Sequence, residues 1–329
     1  MAIKALQSLR SLYFISTKTG SASFSQYNFV YFSALDILAA YPAQADTFLH
    51  TIKSPDPSVI PQHPLDRCLD LFFLNTSEHF TLVLPSHTSE ELLVAAAMPY
   101  LAAGGNNNLL PIFEAAHSVM LAVFSGPQNA EVTARHLPFY IDALFKVFPQ
   151  NVSARQFRLA FKTLLRLCSP PASLATREPM LSATLLELLH ERAIHASAIP
   201  LPPNPAESTL PTDPAIELSE QAVLTLTVID TLTQLPLDLL DEWLPMTADL
   251  VNQIDDASMR EHCKEHFWHV LVGGEMDPDR SGLCHAWVSS TYPATYKKCF
   301  ANLLYSGARP VAESIYYSVE TPILKTSLK

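Results

Sequence analysis

The stretch NVSARQFRLAFKTLLRLC, residues 151–168, decides the fold class: Phe157, Phe161, Leu164, Leu165 and Cys168 recur at the 3.6-residue period that turns one face of an α-helix toward a core. The same period runs through Phe113, Ala116, Met120, Val123 and Phe124, and through Leu137, Ile141, Leu144, Phe145 and Phe148. All three read as amphipathic helices. Thr88 followed by Glu91 has the spacing of a capping box, in which hydroxyl and carboxylate satisfy each other's unpaired backbone amides, and predicts a helix beginning at Ser89. Carried along the chain, the reading gives helices near 4–15, 24–40, 44–53, 65–76, 89–102, 110–124, 129–148, 154–168, 178–195, 218–234, 238–254, 257–272 and 280–290. Only Phe80 to Leu84 has strand character. Neighbouring helices pair into units of roughly 40 residues, although no residue-by-residue repeat links them. The expected fold is all-α, a HEAT/armadillo-like α-solenoid of antiparallel helix pairs.

Composition agrees. Of 329 residues, 48% are apolar and 16% charged, ample for a core, and 8 glycines against 26 prolines suit helices separated by proline stops better than glycine-turned β-structure. Six of those prolines (Pro200, Pro202, Pro203, Pro205, Pro211, Pro214) fall between Ile199 and Ala215, a stretch expected to be extended and solvated. The expected organisation is a helical lobe over 1–198, a proline-rich linker over 199–216, a second helical lobe over 217–290 and a divergent tail over 291–329.

Twenty-one basic against thirty-two acidic residues give a net charge of −11, which argues against nucleic-acid binding. The longest apolar stretch, Leu92 to Ala103, is too short to cross a bilayer and contains Pro99. Five cysteines form no C-x-x-C pair, so a reducing compartment or import of folded protein fits, and the sequons at Asn75 and Asn151 are read as chance. Lys4, Arg10 and Lys18 in an acid-free first 35 residues have the composition of a mitochondrial presequence, but Leu6, Leu9 and Tyr13 are spaced as the buried stripe of an ordinary helix.

The most enzyme-like string is His262-Cys263-Lys264-Glu265-His266, an H-x-x-E-H pattern that sets two imidazoles one helical turn apart with Glu265 as a candidate base. It makes His262 and His266, with Cys263 and His269 in reserve, the candidate zinc ligands of a hydrolase; the alternative is an amphipathic helix with Phe267, Val270 and Leu271 in the core. Asp277 to Gly282 resembles the start of an EF-hand loop, but Val288 stands where the bidentate glutamate belongs, and a cap by Asp277 with Pro278 at the first helical position accounts for the same residues. Neither Asp255-Asp256 nor Asp238 to Glu242 completes the D-D-x-x-D string of isoprenoid synthases, and no P-loop, G-x-S-x-G or G-x-G-x-x-G occurs. No cofactor or small-molecule substrate is expected. From Glu217 to Met259 nine acids stand without one base, the wet face of helices or a docking surface for a basic partner centred on Asp238, Asp241 and Glu242.

Several strings together resemble the fungal peroxin-8 family of intraperoxisomal import proteins. They are Gly20 to Tyr27 (GSASFSQY), His63 to Leu84 (HPLDRCLDLFFLNTSEHFTLVL), Pro99 to Phe124 (PYLAAGGNNNLLPIFEAAHSVMLAVF), Asn151 to Leu165, Leu235 to Leu244 (LPLDLLDEWL) and Met259 to Ser281 (MREHCKEHFWHVLVGGEMDPDRS). The resemblance implies a non-enzymatic adaptor in peroxisome biogenesis, peripheral on the inner, matrix-side face of the peroxisomal membrane. Its implied partners are the docking and RING import peroxins, which it links, and the cycling cargo receptors for matrix proteins. It also implies that this chain corresponds to the C-terminal half of longer members. Those members usually end in S-K-L after a Trp-Trp stretch, whereas this chain reads Ala286-Trp287-Val288 and closes Thr326-Ser327-Leu328-Lys329, so a cytosolic location is expected if the altered end prevents import.

Overall fold

The computed structural model describes residues 1–19, 25–106, 108–202 and 217–291. The interior of the proline-rich stretch and the tail beyond Thr291 lie outside the described residues, and with them the expectations placed there.

The described residues divide into two compact units, the first spanning 1–167 with 171–179 and the second 168–170 with 180 onward. The first holds α1 (Ala2–Thr19), α2 (Ser25–Ala39), α3 (Pro42–Ile52), α4 (Pro64–Ser77), α5 (Ser86–Thr88), α6 (Ala95–Ala103), α7 (Leu110–Ser125), α8 (Ala130–Val147), α9 (Ala154–Cys168) and α10 (Ser173–Arg177). The second holds α11 (Leu181–His195), α12 (Glu220–Thr231), α13 (Leu237–Asn252), α14 (Ala257–Val272) and α15 (Pro278–Thr291). Pro42, Pro64 and Pro278 each open a helix, where the missing N–H has no intrahelical partner to lose. Within the units, helices pack on their chain neighbour and on the next but one, α1 on α2, α6 on α7, α12 on α14 and α13 on α15. With short connections this is the pattern of stacked helix hairpins, and the fold is all-α and solenoid-like. Phe80 to Leu84, the one strand-like run, is a 3₁₀ turn and turns that bury Phe80 and Leu84.

Each unit has a central helix buried on nearly all sides. In the first it is α7, with Ile112, Phe113, Ala115, Ala116, Val119, Met120, Leu121, Val123 and Phe124 all below 9% exposed. The one-sided stripe expected of this helix is therefore incomplete, because α4, α6 and α8 cover it from different directions. In the second it is α12, whose buried threonines return their hydroxyls to the preceding turn: Thr225 Oγ1 to Gln221 O at 2.9 Å, Thr227 Oγ1 to Val223 O at 2.7 Å and Thr231 Oγ1 to Val228 O at 2.7 Å. That lets a polar side chain enter a core without an unsatisfied group.

Two expectations are corrected. Thr88 is not an N-cap: at φ −65° and ψ −41° it lies inside a helix that starts at Ser86 behind the extended Pro85, and its Oγ1 sits 3.3 Å from His87 Nε2. The helix continues through a π-helical turn, Ser89–Val94, into α6 and ends at Gly104, whose φ of 75° is the left-handed conformation that glycine adopts without strain. The second concerns the lobes. Leu185, Leu186, Leu189 and Ala193 of α11 are buried and α11 packs on α12 and α13, with His190 edge-on to the buried Trp243 at 5.6 Å between centroids. The division therefore falls before α11, near Pro170, Pro171 and Pro179, and the proline-rich stretch connects two helices of one unit. Its described ends are joined by Leu201 N to Leu218 O at 2.9 Å and Gln221 N to Ser197 O at 3.2 Å.

Candidate functional site

The H-x-x-E-H string lies on α14, which Asp256 caps by accepting the Met259 amide at 2.8 Å. Met259, Cys263, Phe267 and Leu271 form the buried stripe, so Cys263, with Sγ 3.9 Å from the Ala222 carbonyl, faces the core. Glu265 and His269, on the opposite side, are exposed, and Val270 is half-buried. His266 Nε2 is held 2.6 Å from Asp230 Oδ1 of α12, a side-chain hydrogen bond between two helices of the second unit. Among the described residues no three His, Cys, Asp or Glu side chains come together as a metal-holding group. The arrangement that results is a helix pinned by a polar clasp. The EF-hand-like string resolves as capping: Asp277 Oδ1 accepts the Arg280 amide at 2.9 Å, which with the Arg280 guanidinium holds the carboxyl below the usual carboxylate range. Arg280 Nε also donates to the Leu235 carbonyl at 2.6 Å, tying the start of α15 to the approach to α13.

The acidic run separates into two sets. Asp230 is engaged by His266, and Glu220 pairs with Arg192 at 3.3 Å. On α13 the buried stripe is Leu240, Trp243, Leu244, Thr247, Leu250 and Val251, which turns Asp238, Asp241, Glu242 and Asp249 outward. These four share one exposed face with no base on the helix. The structure thus brings the three expected docking residues onto one surface.

A second charged face escaped the sequence reading. On α9 the stripe Phe157, Phe161, Leu164 and Leu165 is 0% exposed, and Arg155, Arg158, Lys162 and Arg166 line the outward side. The signal was available: residues 143–177 contain six Lys and Arg and no Asp or Glu. Ser153 and Gln156 form the capping box of this helix, Ser153 N donating to Gln156 Oε1 at 3.0 Å and Gln156 N to Ser153 Oγ at 3.2 Å.

Between α7, α8 and α9 an apolar cleft is lined in part by His117, Tyr140, Leu144 and Leu159. His117 is 6% exposed, with Nδ1 2.9 Å from the Tyr140 hydroxyl and Nε2 without a hydrogen-bond partner among the described residues. Burial depresses its pKa to about 3, so the ring is neutral at physiological pH. Burial likewise pushes the Cys168 thiol up to about 12, which removes its nucleophilicity. No helix among the described residues is long and apolar enough to cross a membrane.

Comparison with known proteins adds identity to this geometry. Residues 45–125 match the family model described as the PEX8 central TPR-like domain, and residues 131–292 match the PEX8 C-terminal domain. Among curated relatives, the peroxisomal membrane protein PEX17 of Yarrowia lipolytica is 30% identical over 315 residues, covering 87% of this chain and 46% of the relative. Peroxisomal biogenesis factor 8 of Komagataella phaffii is 24% identical over 328 residues, covering 86% and 46%, and that of Pichia angusta is 24% identical over 290 residues, covering 82% and 42%. The chain therefore spans about half the length of the curated relatives it matches. No solved structure matches.

Proposed function

Because the chain belongs to the fungal peroxin-8 family, we propose that it works in peroxisome biogenesis as a non-enzymatic adaptor for matrix-protein import. The observation that carries the reading is the match to two consecutive domains of that family across most of the described helices. In this role the chain sits peripherally on the inner face of the peroxisomal membrane, links docking and RING subcomplexes and engages cargo receptors. A solenoid suits such work, because stacked hairpins present extended surfaces to several partners without a catalytic pocket. The α13 face, through Asp238, Asp241 and Glu242, is the surface we assign to a basic partner; its side chains are exposed and turned away from the core.

The test is complementation. The chain is expressed in a fungal strain lacking its own peroxin-8, with a fluorescent cargo ending in S-K-L as reporter. Import of the reporter into puncta supports the adaptor reading, and a cytosolic reporter with the chain folded and abundant, unchanged when S-K-L is added to its end, overturns it. In the same strain Asp241→Lys with Glu242→Lys should reduce receptor or peroxin capture at least tenfold with an unchanged melting temperature; undiminished capture removes α13 as the docking face.

A further inference from the structure

We propose that the cleft between α7, α8 and α9 is a recognition pocket for a tyrosine side chain of a protein partner, whose hydroxyl meets Nε2 of His117. Phe113, His117 and Leu121 of α7, Tyr140 and Leu144 of α8 and Leu159 of α9 wall this cleft. The His117 imidazole is held from two sides, edge-on to Phe113 at 4.5 Å and to Tyr140 at 5.3 Å between centroids, and its Nδ1 is committed to the Tyr140 hydroxyl. Nε2, buried with the ring at 6% exposure, has no hydrogen-bond partner among the described residues. Other polar side chains of the lining are engaged: Gln156 Nε2 donates to Glu114 Oε1 at 3.1 Å and Asn151 Nδ2 to the Gly104 carbonyl at 2.5 Å. A buried polar atom left unmet is costly, so Nε2 is where an occupant gains most.

The chemistry of that atom selects the occupant. If Tyr140 donates to Nδ1, Nε2 carries the ring proton and donates; if Tyr140 accepts, Nε2 accepts. A hydroxyl serves both tautomers, whereas an indole N–H serves one. Burial keeps the ring neutral and the Glu114 carboxylate lines the same cleft, so an anion finds no counter-charge there.

Size narrows the choice further. The cleft measures about 30 Å³, room for the tip of a side chain and too little for a whole ligand. Among hydroxyl side chains tyrosine brings its oxygen at the far end of a ring, so the hydroxyl and leading edge enter while the rest of the ring covers Leu159, 47% exposed at the mouth. That this tyrosine belongs to a protein partner rests on the adaptor reading.

The experiment uses the full chain, its histidine side-chain nitrogens followed by NMR, with p-cresol, toluene and phenyl phosphate as probes. p-Cresol should shift the His117 Nε2 signal and bind about fivefold more tightly than toluene, the size of one hydrogen bond, and phenyl phosphate should not bind. A capped Ala-Ala-Tyr-Ala-Ala peptide should show the same preference over its Phe counterpart. His117→Phe should equalise p-cresol and toluene. Leu159→Trp, at an exposed position, should weaken both by about tenfold with an unchanged circular-dichroism melt, which keeps the test decisive if His117→Phe misfolds. The proposal is overturned if p-cresol and toluene bind alike, if either variant binds as the native chain does, if phenyl phosphate binds best, or if p-cresol binds and the Tyr peptide does not, which would make the cleft a site for a free small molecule. None of these readouts depends on peroxisomal import, so failure here is distinguishable from failure of the adaptor reading.

Discussion

At the scale of single residues, the buried histidine of α7 has the clearest physical consequence. His117 must be neutral to occupy its site, since its pKa falls to about 3 there against about 6.5 in an unfolded chain. Between those values the unfolded state binds the extra proton, so stability from this group is complete above about pH 6.5 and is lost as the pH drops below it, at roughly 1.4 kcal/mol per pH unit. His117→Gln, which keeps a polar contact for Tyr140 and cannot titrate, should flatten urea-unfolding stability between pH 4 and 6 relative to the native chain; an unchanged slope would show that the ring is not confined as described. The sequence showed His117 only as a polar residue between Ala116 and Ser118, and nothing in its spacing distinguished a core imidazole from an exposed one. The same limit applied to His262 and His266. Their four-residue spacing was legible, but the packing of Cys263 inward and the pairing of His266 with Asp230 depend on a helix thirty-six residues away.

At the scale of elements, helices were legible wherever a one-sided apolar stripe met a proline, and α8, α9 and α11 to α15 lie close to where periodicity puts them. Caps were less so. Thr88–Glu91 and Ser153–Gln156 have the same spacing, and what separates them is that Pro85 starts a helix three residues ahead of Thr88, whereas Ser153 stands at a true helix start. Ser153→Ala removes a hydroxyl acceptor from the first turn of α9 and should lower stability by about 1 kcal/mol. The loss should appear as a lower urea midpoint with an unchanged slope, and no shift would mean that α9 is held by its buried stripe alone. The basic face of α9 was legible as an acid-free run of residues, but its alignment into one outward stripe needed the inward side to be known.

At the scale of the whole molecule, proline count pointed to the wrong dividing line because prolines mark where helices stop and carry no information about which apolar stripes match. The match of Leu185, Leu186 and Leu189 with the core of the second unit decides that α11 belongs there. This division makes two probes independent. Trp243, Trp268 and Trp287 all lie in the second unit, whereas His117 lies in the first and far-ultraviolet circular dichroism reports both. Acidification from pH 7 to 5 removes stability from the unit that holds His117, through the proton its unfolded form binds, and the tryptophans do not sense that unit directly. Two transitions should therefore separate in urea at pH 5: the dichroism should acquire an early phase that the tryptophan fluorescence lacks, and His117→Gln should remove it. Superimposable curves from both probes at both pH values would mean that the two units unfold as one cooperative block, and that the docking surface on α13 is held by the same folding equilibrium as the core around His117.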